Sequence, residues 1–482
     1  MRVLSVTSEL HPLIKTGGLA DVAGALPAAL GRHGVEVRSL LPGYPTVLRK
    51  VGKTVVLHTY KALFGAPARI LGARFGELDL LLLDSPALFD REGGPYSDLG
   101  GQDWPDNWRR FAALSAVAGD IAAGAVKGWK ADLVHAHDWQ AAMSAAYVRH
   151  GRAPDTPVVV TVHNLAFQGR FDRPVFDELG LPASAFSVDG VEYYGGVGYL
   201  KAGLQYADAI TTVSPTYADE IRTSAFGMGL DGLLRGRGDA VHGIVNGIDT
   251  DEWNPASDPH LPKCYGAASL RGRSANRKAI EKSFGLTSDK RPLFTVISRL
   301  TGQKGIDLLV DSVEHIVAHG AKLAVLGSGD SVFERGLLAA TARHAGTIGV
   351  LTRYDEPLAH MLQGGADAIL IPSRFEPCGL TQLYGLRYGT VPVVARTGGL
   401  ADTVIDANEA ALSAGVATGL LHDPASGDAL KHAISKAIGL FAQPAVWQNL
   451  RRRGMAADYS WARSSERYAE LFRSLVKGTS KA

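Results

Sequence analysis

Short runs of Val, Ile, Leu and Ala, nearly free of polar residues, recur along the chain and alternate with segments whose apolar residues fall at helical spacing. In the first half they include "RVLSVTS", "VEVRSLLP", "LDLLLLD", "DLVHAHD", "PVVVTVHN" and "ADAITTVS". In the second half they include "LFTVISR", "AKLAVLGSG", "TIGVLTR", "ADAILIPSR" and "VPVVART". A strand that is apolar on both faces must be covered on both faces, which a parallel sheet between two layers of helices achieves. The pattern therefore predicts a doubly wound α/β fold. The 482 residues allow two or three domains, and the two sets of strands predict two sheets. The divide is expected near "VHGIVNGIDTDEWNP", residues 241–255, giving domains 1–243 and 244–456. Leu19, Val22, Ala23, Leu26 and Leu30 form a helical stripe that predicts a first helix over 19–33, kinked at Pro27. Residues 85–109 read as a long irregular loop, of the kind that is functional or mobile.

Composition excludes several classes of function. A net charge of +2 gives no broad attraction for nucleic acid, so any positive site is local. Two cysteines, Cys264 and Cys378, make no disulfide framework and fit a reducing compartment. The chain opens on a strand-like run without the features of a signal peptide. No apolar stretch reaches the ~18 residues of a spanning helix. A cytoplasmic protein with no membrane partner is expected.

Ligands of open α/β sheets bind beyond the carboxyl ends of the strands, so the strand-end motifs carry the chemistry. "KTGGL", 15–19, lies between the first strand and the first helix. Lys15 beside Gly17 and Gly18 at a helix N-terminus suits a phosphate; the plainer reading is a turn with a solvated lysine. "SRLTGQKGID", 298–307, sets Arg299 and Lys304 at a second strand end among glycines, a combination that favours phosphate. "SRFEPCGLTQLYGLRYG", 373–389, runs from a strand into a helix whose first amides, at Gly379, Leu380 and Thr381, suit a diphosphate. Glu376 sits just outside that positive end. There it either holds sugar hydroxyls or caps the helix. Cys378 is read as a packing thiol near the site rather than a nucleophile.

"HAHD", 135–138, and "TVHN", 161–164, end two strands of the first half. Asp138 and His163 are read as cleft residues, with a satisfied core histidine as the alternative for His163. His135 and His137 share a strand face, but no further Cys or clustered carboxylate completes a metal site. "VLGSGD", 325–330, lacks the third glycine of a dinucleotide fingerprint. "DTD", 249–251, follows an Asn-Gly turn and is read as structural.

Taken in order, "KTGGL", "HAHDW", "TVHN", "VNGID", "SRLTGQKG" and "EPCGLTQLYG" closely resemble the bacterial glycogen synthases and the plant starch synthases, over nearly the whole chain. The resemblance implies a GT-B glycosyltransferase, with two Rossmann-like domains, an acceptor-side domain and a nucleotide-sugar domain, and a cleft between them. It implies a C-terminal helix, within 457–482, that returns to the first domain. It implies transfer of glucose from ADP-glucose to the non-reducing end of an α-1,4-glucan with retention, and no metal or other cofactor. Carried over residue by residue, Lys15 with Gly17 and Gly18 faces the distal phosphate. Arg299, Lys304 and the amides from Cys378 through Gly379, Leu380 and Thr381 neutralise the diphosphate. Glu376 holds glucose hydroxyls, the His163 carbonyl lies near the anomeric centre, and Asp138 lies near donor and acceptor. Tyr354 stacks on adenine or, in the plainer reading, is a core aromatic.

Competing readings on the same scaffold are a nucleotide-sugar epimerase or hydrolase, and a glucan-binding protein without activity. A NAD-linked dehydrogenase is disfavoured by the missing fingerprint. The choice between ADP-glucose and UDP-glucose rests on the resemblance alone.

Overall fold

The computed structural model describes residues 1–479. The chain forms two compact units. Unit 1 is Met1–Gly247 together with the segment from Trp461 onward, and unit 2 is Ile248–Ser460. Residues 480–482, the end of the expected C-terminal segment, lie outside the described residues.

Unit 1 contains strands β1 (Arg2–Val6), β2 (Glu36–Pro42), β3 (Val55–Leu63), β4 (Ala66–Phe75), β5 (Leu78–Asp84), β6 (Leu133–His137), β7 (Val158–Val162), β8 (Arg170–Phe171), β9 (Glu192–Tyr193), β10 (Gly196–Gly198), β11 (Ala209–Thr212) and β12 (Val241–Gly243). Nine of them form one sheet in the order β12-β11-β7-β6-β1-β2-β5-β4-β3, and β8-β10-β9 form a small antiparallel sheet. Pairing is parallel from β12 to β5. Across β5-β4-β3 it is antiparallel, which departs from the expected all-parallel sheet. The reason is visible in the hairpin itself. Its edge strand β3 is mostly solvent-facing, with Val55 and Val56 exposed, so it lacks the continuous apolar run of a doubly covered strand.

The first helix, Gly18–Gly31, runs through Pro27 without a break and buries Leu19, Val22, Leu26 and Leu30 against the sheet. The helix Trp461–Thr479 packs beside it. Trp461, Tyr468, Ala469 and Phe472 recur at helical spacing and meet Val22, Leu26, Val3 and Leu133 in one buried cluster.

Unit 2 contains β13 (Leu293–Ile297), β14 (Lys322–Leu326), β15 (Ile348–Leu351), β16 (Ala368–Ile371), β17 (Val391–Ala395) and β18 (Leu420–His422). They form one parallel sheet in the order β15-β14-β13-β16-β17-β18. Chain order reverses at β13: β14 lies on one side and β16 on the other. Unit 1 reverses likewise at β1, flanked by β2 and β6. Neighbouring loops leave such a point in opposite directions, which opens a crevice at the carboxyl edge. Among the described residues, no helix is long and apolar enough to cross a membrane.

Phe472 is fully buried between the two helices and the sheet. Phe472→Ala is expected to destabilise the protein by ~3–5 kcal/mol, whereas Val55→Thr on the exposed edge should stay within ~0.5 kcal/mol. Urea unfolding of both variants checks this; equal effects would mean that the C-terminal helix is not part of the unit 1 core.

Candidate active site

Most of the residues singled out by sequence lie at the two reversal points; His163 follows the neighbouring strand β7, and Tyr354 follows the edge strand β15. In unit 1, the 15–19 turn follows β1 and Asp138 follows β6. In unit 2, Arg299 and Lys304 follow β13, and Glu376 to Thr381 follow β16.

The 15–19 turn is held from inside unit 1. Glu9 is buried, and its carboxylate accepts the Thr16 hydroxyl at 2.5 Å, the Gly17 amide at 3.3 Å and the Thr16 amide. It also accepts the Tyr96 hydroxyl, which lies 2.8 Å from the Ser8 hydroxyl. The amides next to Lys15 therefore already cradle a carboxylate. Lys15 itself pairs with Asp21 in the first turn of the following helix at 2.8 Å. Through Tyr96, Glu9 also reaches the irregular stretch expected at 85–109. That stretch contains a short helix, Pro86–Phe89, and is pinned rather than loose. Fully buried Arg110 donates to the carbonyls of Leu88 and Pro95, and Arg91 forks onto Asp106 at 2.7 and 2.9 Å.

Asp138 opens the short helix Asp138–Ala142 with φ of 54°, a left-handed conformation that is uncommon outside glycine and marks a locally constrained site. The turn aims its Oδ1 at β7, where it accepts the His163 amide at 2.7 Å and the Asn164 amide at 3.4 Å. Burial pushes the Asp138 carboxyl from its ordinary 3.8 up to about 7, against the opposing pull of those two amides.

His163 is a buried, partnered histidine: its Nε2 lies 3.0 Å from Nδ1 of His137, whose Nε2 is 3.2 Å from the Ser5 hydroxyl. His135 pairs instead with Thr161 at 2.6 Å. Burial holds His135 and His163 well below the usual imidazole range and lowers His137 to about 3. All three are neutral, so His137 and His163 share one proton between facing nitrogens.

In unit 2, Lys304, Glu376, Gly379 and Thr381 line one hollow with Ser298 and Gln382. Lys304 Nζ meets Glu376 Oε2 at 2.5 Å, and the Ser373 hydroxyl donates to the same oxygen at 2.9 Å. Glu376 is thus not the helix cap. The helix Thr381–Tyr388 has no side-chain cap on its first amides. Gly379 supplies the turn before it with φ of 69°, and Gln382 folds back to donate to the Cys378 and Gly379 carbonyls at 3.0 and 2.8 Å. Cys378 is buried. Arg299 is exposed, and its guanidinium has no hydrogen-bond or ion-pair partner among the described residues. Tyr354 is 74% exposed, which removes the core-aromatic alternative, and its hydroxyl donates to Glu356.

Several contributors escape a motif search. Glu9, Tyr96 and Ser373 act through partners distant in sequence or too plain to signal. "RTGGL", 396–400, repeats the "KTGGL" pattern and does give a signal. It too opens a helix after a strand, Gly398–Thr403 after β17. A side chain at Gly398 or Gly399 would strike the backbone of Glu376 or Cys378, and the Gly399 amide donates to the Glu376 carbonyl at 3.1 Å. This second glycine pair is what lets the 376–379 turn sit where it does.

Comparison with known proteins fits this geometry. The starch synthase catalytic domain family matches residues 2–236, and the group 1 glycosyl transferases match 277–447. The glycogen synthase of Mesorhizobium japonicum is 60% identical over 99% of both chains, and glycogen synthase 1 of Rhizobium meliloti is 58% identical over the same shares. Among solved structures, the catalytic domain of starch synthase IV from Arabidopsis thaliana, bound to ADP and acarbose, superposes with a TM-score of 0.88 at 30% identity. That match covers 98% of this chain and 99% of the other. The sucrose-phosphate synthase of Thermosynechococcus elongatus shares the fold at a TM-score of 0.62 and 16% identity, over 99% of each chain.

The buried groups set a pH dependence of stability. The histidines titrate lower in the folded chain than the unfolded value of about 6.5. Below that pH the unfolded chain binds protons that the folded chain does not, so stability falls on acidification. Asp138 works in the opposite sense: folded, it takes up a proton near 7 that the unfolded carboxyl refuses until about 3.9. With His135, His137 and His163 against Asp138 alone, the urea midpoint is expected to drop between about pH 7 and about pH 5. Asp138→Asn removes the opposing contribution and should steepen the drop; an unchanged slope would contradict the burial-driven shift.

Proposed function

The chain belongs to the bacterial glycogen synthase family, and on that premise we propose that it moves glucose from ADP-glucose to the non-reducing end of an α-1,4-glucan with retention. It is a glucosyltransferase of glycogen synthesis with the GT-B fold. The observation that carries the finer reading is the unit 2 hollow. A cation, a carboxylate and an uncapped helix N-terminus converge there, with Arg299 at the end of the adjoining strand. That set answers to a diphosphate joined to a hydroxyl-bearing sugar. The ADP and acarbose bound by starch synthase IV support an adenine nucleotide and an oligosaccharide as the corresponding ligands here.

In this proposal unit 2 is the nucleotide-sugar domain and unit 1 the acceptor-side domain. Tyr354 stacks on adenine. As the glycosidic bond breaks, negative charge grows on the departing phosphate oxygen. Arg299, Lys304 and the amides at Cys378, Gly379, Leu380 and Thr381 stabilise it without reorganising. Lys15, with the Gly17–Gly18 turn, serves the distal phosphate. To do so Lys15 exchanges Asp21 for the phosphate, while Glu9 keeps the turn in shape. Glu376 accepts glucose hydroxyls, and Lys304 anchors its carboxylate. Asp138 holds the His163 and Asn164 amides and so sets the direction of the His163 carbonyl, which faces the anomeric centre.

Retention through a glycosyl-enzyme needs a carboxylate beneath the anomeric carbon. The proposal assigns a backbone carbonyl to that position instead. It therefore favours front-face displacement, in which the leaving phosphate takes the acceptor hydroxyl proton.

The direct test is transfer of labelled glucose from ADP-glucose, and separately from UDP-glucose, onto glycogen with EDTA present. Incorporation from ADP-glucose is expected. Incorporation from neither donor by a folded protein that binds ADP would turn the reading toward an epimerase or hydrolase. Arg299→Ala and Lys304→Ala are each expected to lower kcat by ~10²–10³ while leaving glucan affinity nearly unchanged. A matching loss of glucan affinity would make them polymer-binding residues.

A further inference from the structure

Unit 2 carries a second cluster of polar groups outside the hollow lined by Lys304 and Glu376, linked to the proposed nucleotide site only where Glu356 accepts the Tyr354 hydroxyl. The ring of His360 is buried and pinned on two sides. One face stacks on Trp253, with ring centres 3.7 Å apart and planes 13° from parallel, and the other face of Trp253 stacks on Tyr384 at 3.6 Å. Nδ1 lies 2.8 Å from Oδ2 of fully buried Asp258. That oxygen also accepts the Tyr388 hydroxyl at 2.6 Å, and Oδ1 accepts the His260 amide at 2.8 Å. A carboxylate so engaged requires the proton on Nδ1, which leaves the lone pair of His360 on Nε2. Among the described residues, Nε2 has no hydrogen-bond partner, although the side chain is only 2% exposed.

Two carboxylates lie close to the ring. Glu356 stands four residues earlier on the helix Glu356–Gly365, a spacing that puts both side chains on one face. Glu252 comes from the turn after "VNGID", where Asp249 Oδ1 accepts the amides of Asp251 at 2.9 Å and Glu252 at 3.1 Å and so orients the segment. One ligand atom from each of Glu252, Glu356 and His360 lies within 4.8 Å of the other two. Two carboxylates and an imidazole lone pair, with the far ring nitrogen held by a buried carboxylate, are the inner and outer parts of a metal site.

We propose that Glu252, Glu356 and His360 bind a divalent transition-metal ion, zinc before manganese, that ties the 249–254 turn to the helix Glu356–Gly365. The imidazole selects against calcium and magnesium, which take oxygen ligands. Ligands of a tetrahedral zinc with bonds of about 2.0–2.2 Å stand roughly 3.3 Å apart. Closure therefore falls to rotation of the two glutamates, since the ring is fixed by Trp253 and Asp258. The exposed rim at Glu252 leaves the fourth position to water. The ion is structural; it meets the proposed nucleotide site only through Glu356, whose carboxylate also accepts the Tyr354 hydroxyl.

The test uses the full-length protein, stripped with EDTA and titrated calorimetrically with zinc chloride, with magnesium and calcium chlorides as comparisons. One zinc per chain at micromolar affinity or tighter, a raised unfolding temperature, and no response to magnesium or calcium are expected. Glu252→Gln and Glu356→Gln should each weaken zinc at least about tenfold, and they spare the buried ring whose replacement risks misfolding. Zinc K-edge absorption should show nitrogen and oxygen neighbours only, because exposed Cys264 lies near Asp258 and is the competing ligand. No zinc binding, binding indifferent to both glutamates, or a sulfur neighbour would each overturn the proposal.

Discussion

Both sheets are wound outward from a central strand, and that reversal of strand order governs where everything else can sit. At β1 and β6 in unit 1, and at β13 and β16 in unit 2, successive loops leave the sheet in opposite directions. The backbone thus supplies a concavity at each carboxyl edge before any side chain is chosen. The "KTGGL" and "HAHD" segments occupy one, and the "SRLTGQKG" and "EPCG" segments occupy the other. Fold alone would not distinguish one reaction from another. Those segments do, because they fill the concavities with cations, amides and single carboxylates in a particular arrangement.

A second regularity is that carboxylates hold much of this polar machinery in place. Asp21 holds Lys15, Glu376 holds Lys304, Glu9 holds the amides of the 15–19 turn, and Asp138 holds those of His163 and Asn164. Each pairing fixes a donor in direction without requiring a ligand. Under the proposed function, an arriving phosphate would exchange partners rather than order loose side chains, which keeps the entropic cost of binding low. Arg299 is the exception. It is exposed and unheld, and its planar fork suits an oxygen pair that approaches from solution.

The fold was legible where its signal was continuous. The doubly covered strands announce themselves as apolar runs, and the strand-end motifs follow from them. The β3–β4 hairpin was not legible, because an edge strand that faces water on one side reads as ordinary polar sequence. The local parts of the candidate site, Lys15 to Gly18 and Glu376 to Thr381, could be proposed from sequence because each motif lies within a few residues. Glu9 was not, since its tie to Tyr96 spans 87 positions, and the pairing of Lys304 with Glu376 spans 72. Asp138 was chosen for its place at a strand end, yet its strained φ and its grip on two amides are properties of the folded backbone. The "RTGGL" echo of "KTGGL" was open to view, but its value lies in backbone contact with residues 376–378, which no spacing rule reveals.

The C-terminal helix carries a consequence for how the protein is made. Trp461, Tyr468 and Phe472 complete the buried cluster that begins with Val3 and Val22. On the ribosome, where early domains usually mature first, the first unit here must wait until the Trp461–Thr479 helix has followed the whole of unit 2. Unit 2, continuous from Ile248 to Ser460, has all of its residues sooner. The order of completion is therefore inverted, and a nascent chain stalled before Trp461 carries a finished second unit behind an open first one. That open apolar surface makes a chain ended before Trp461 prone to aggregation rather than a half-active enzyme.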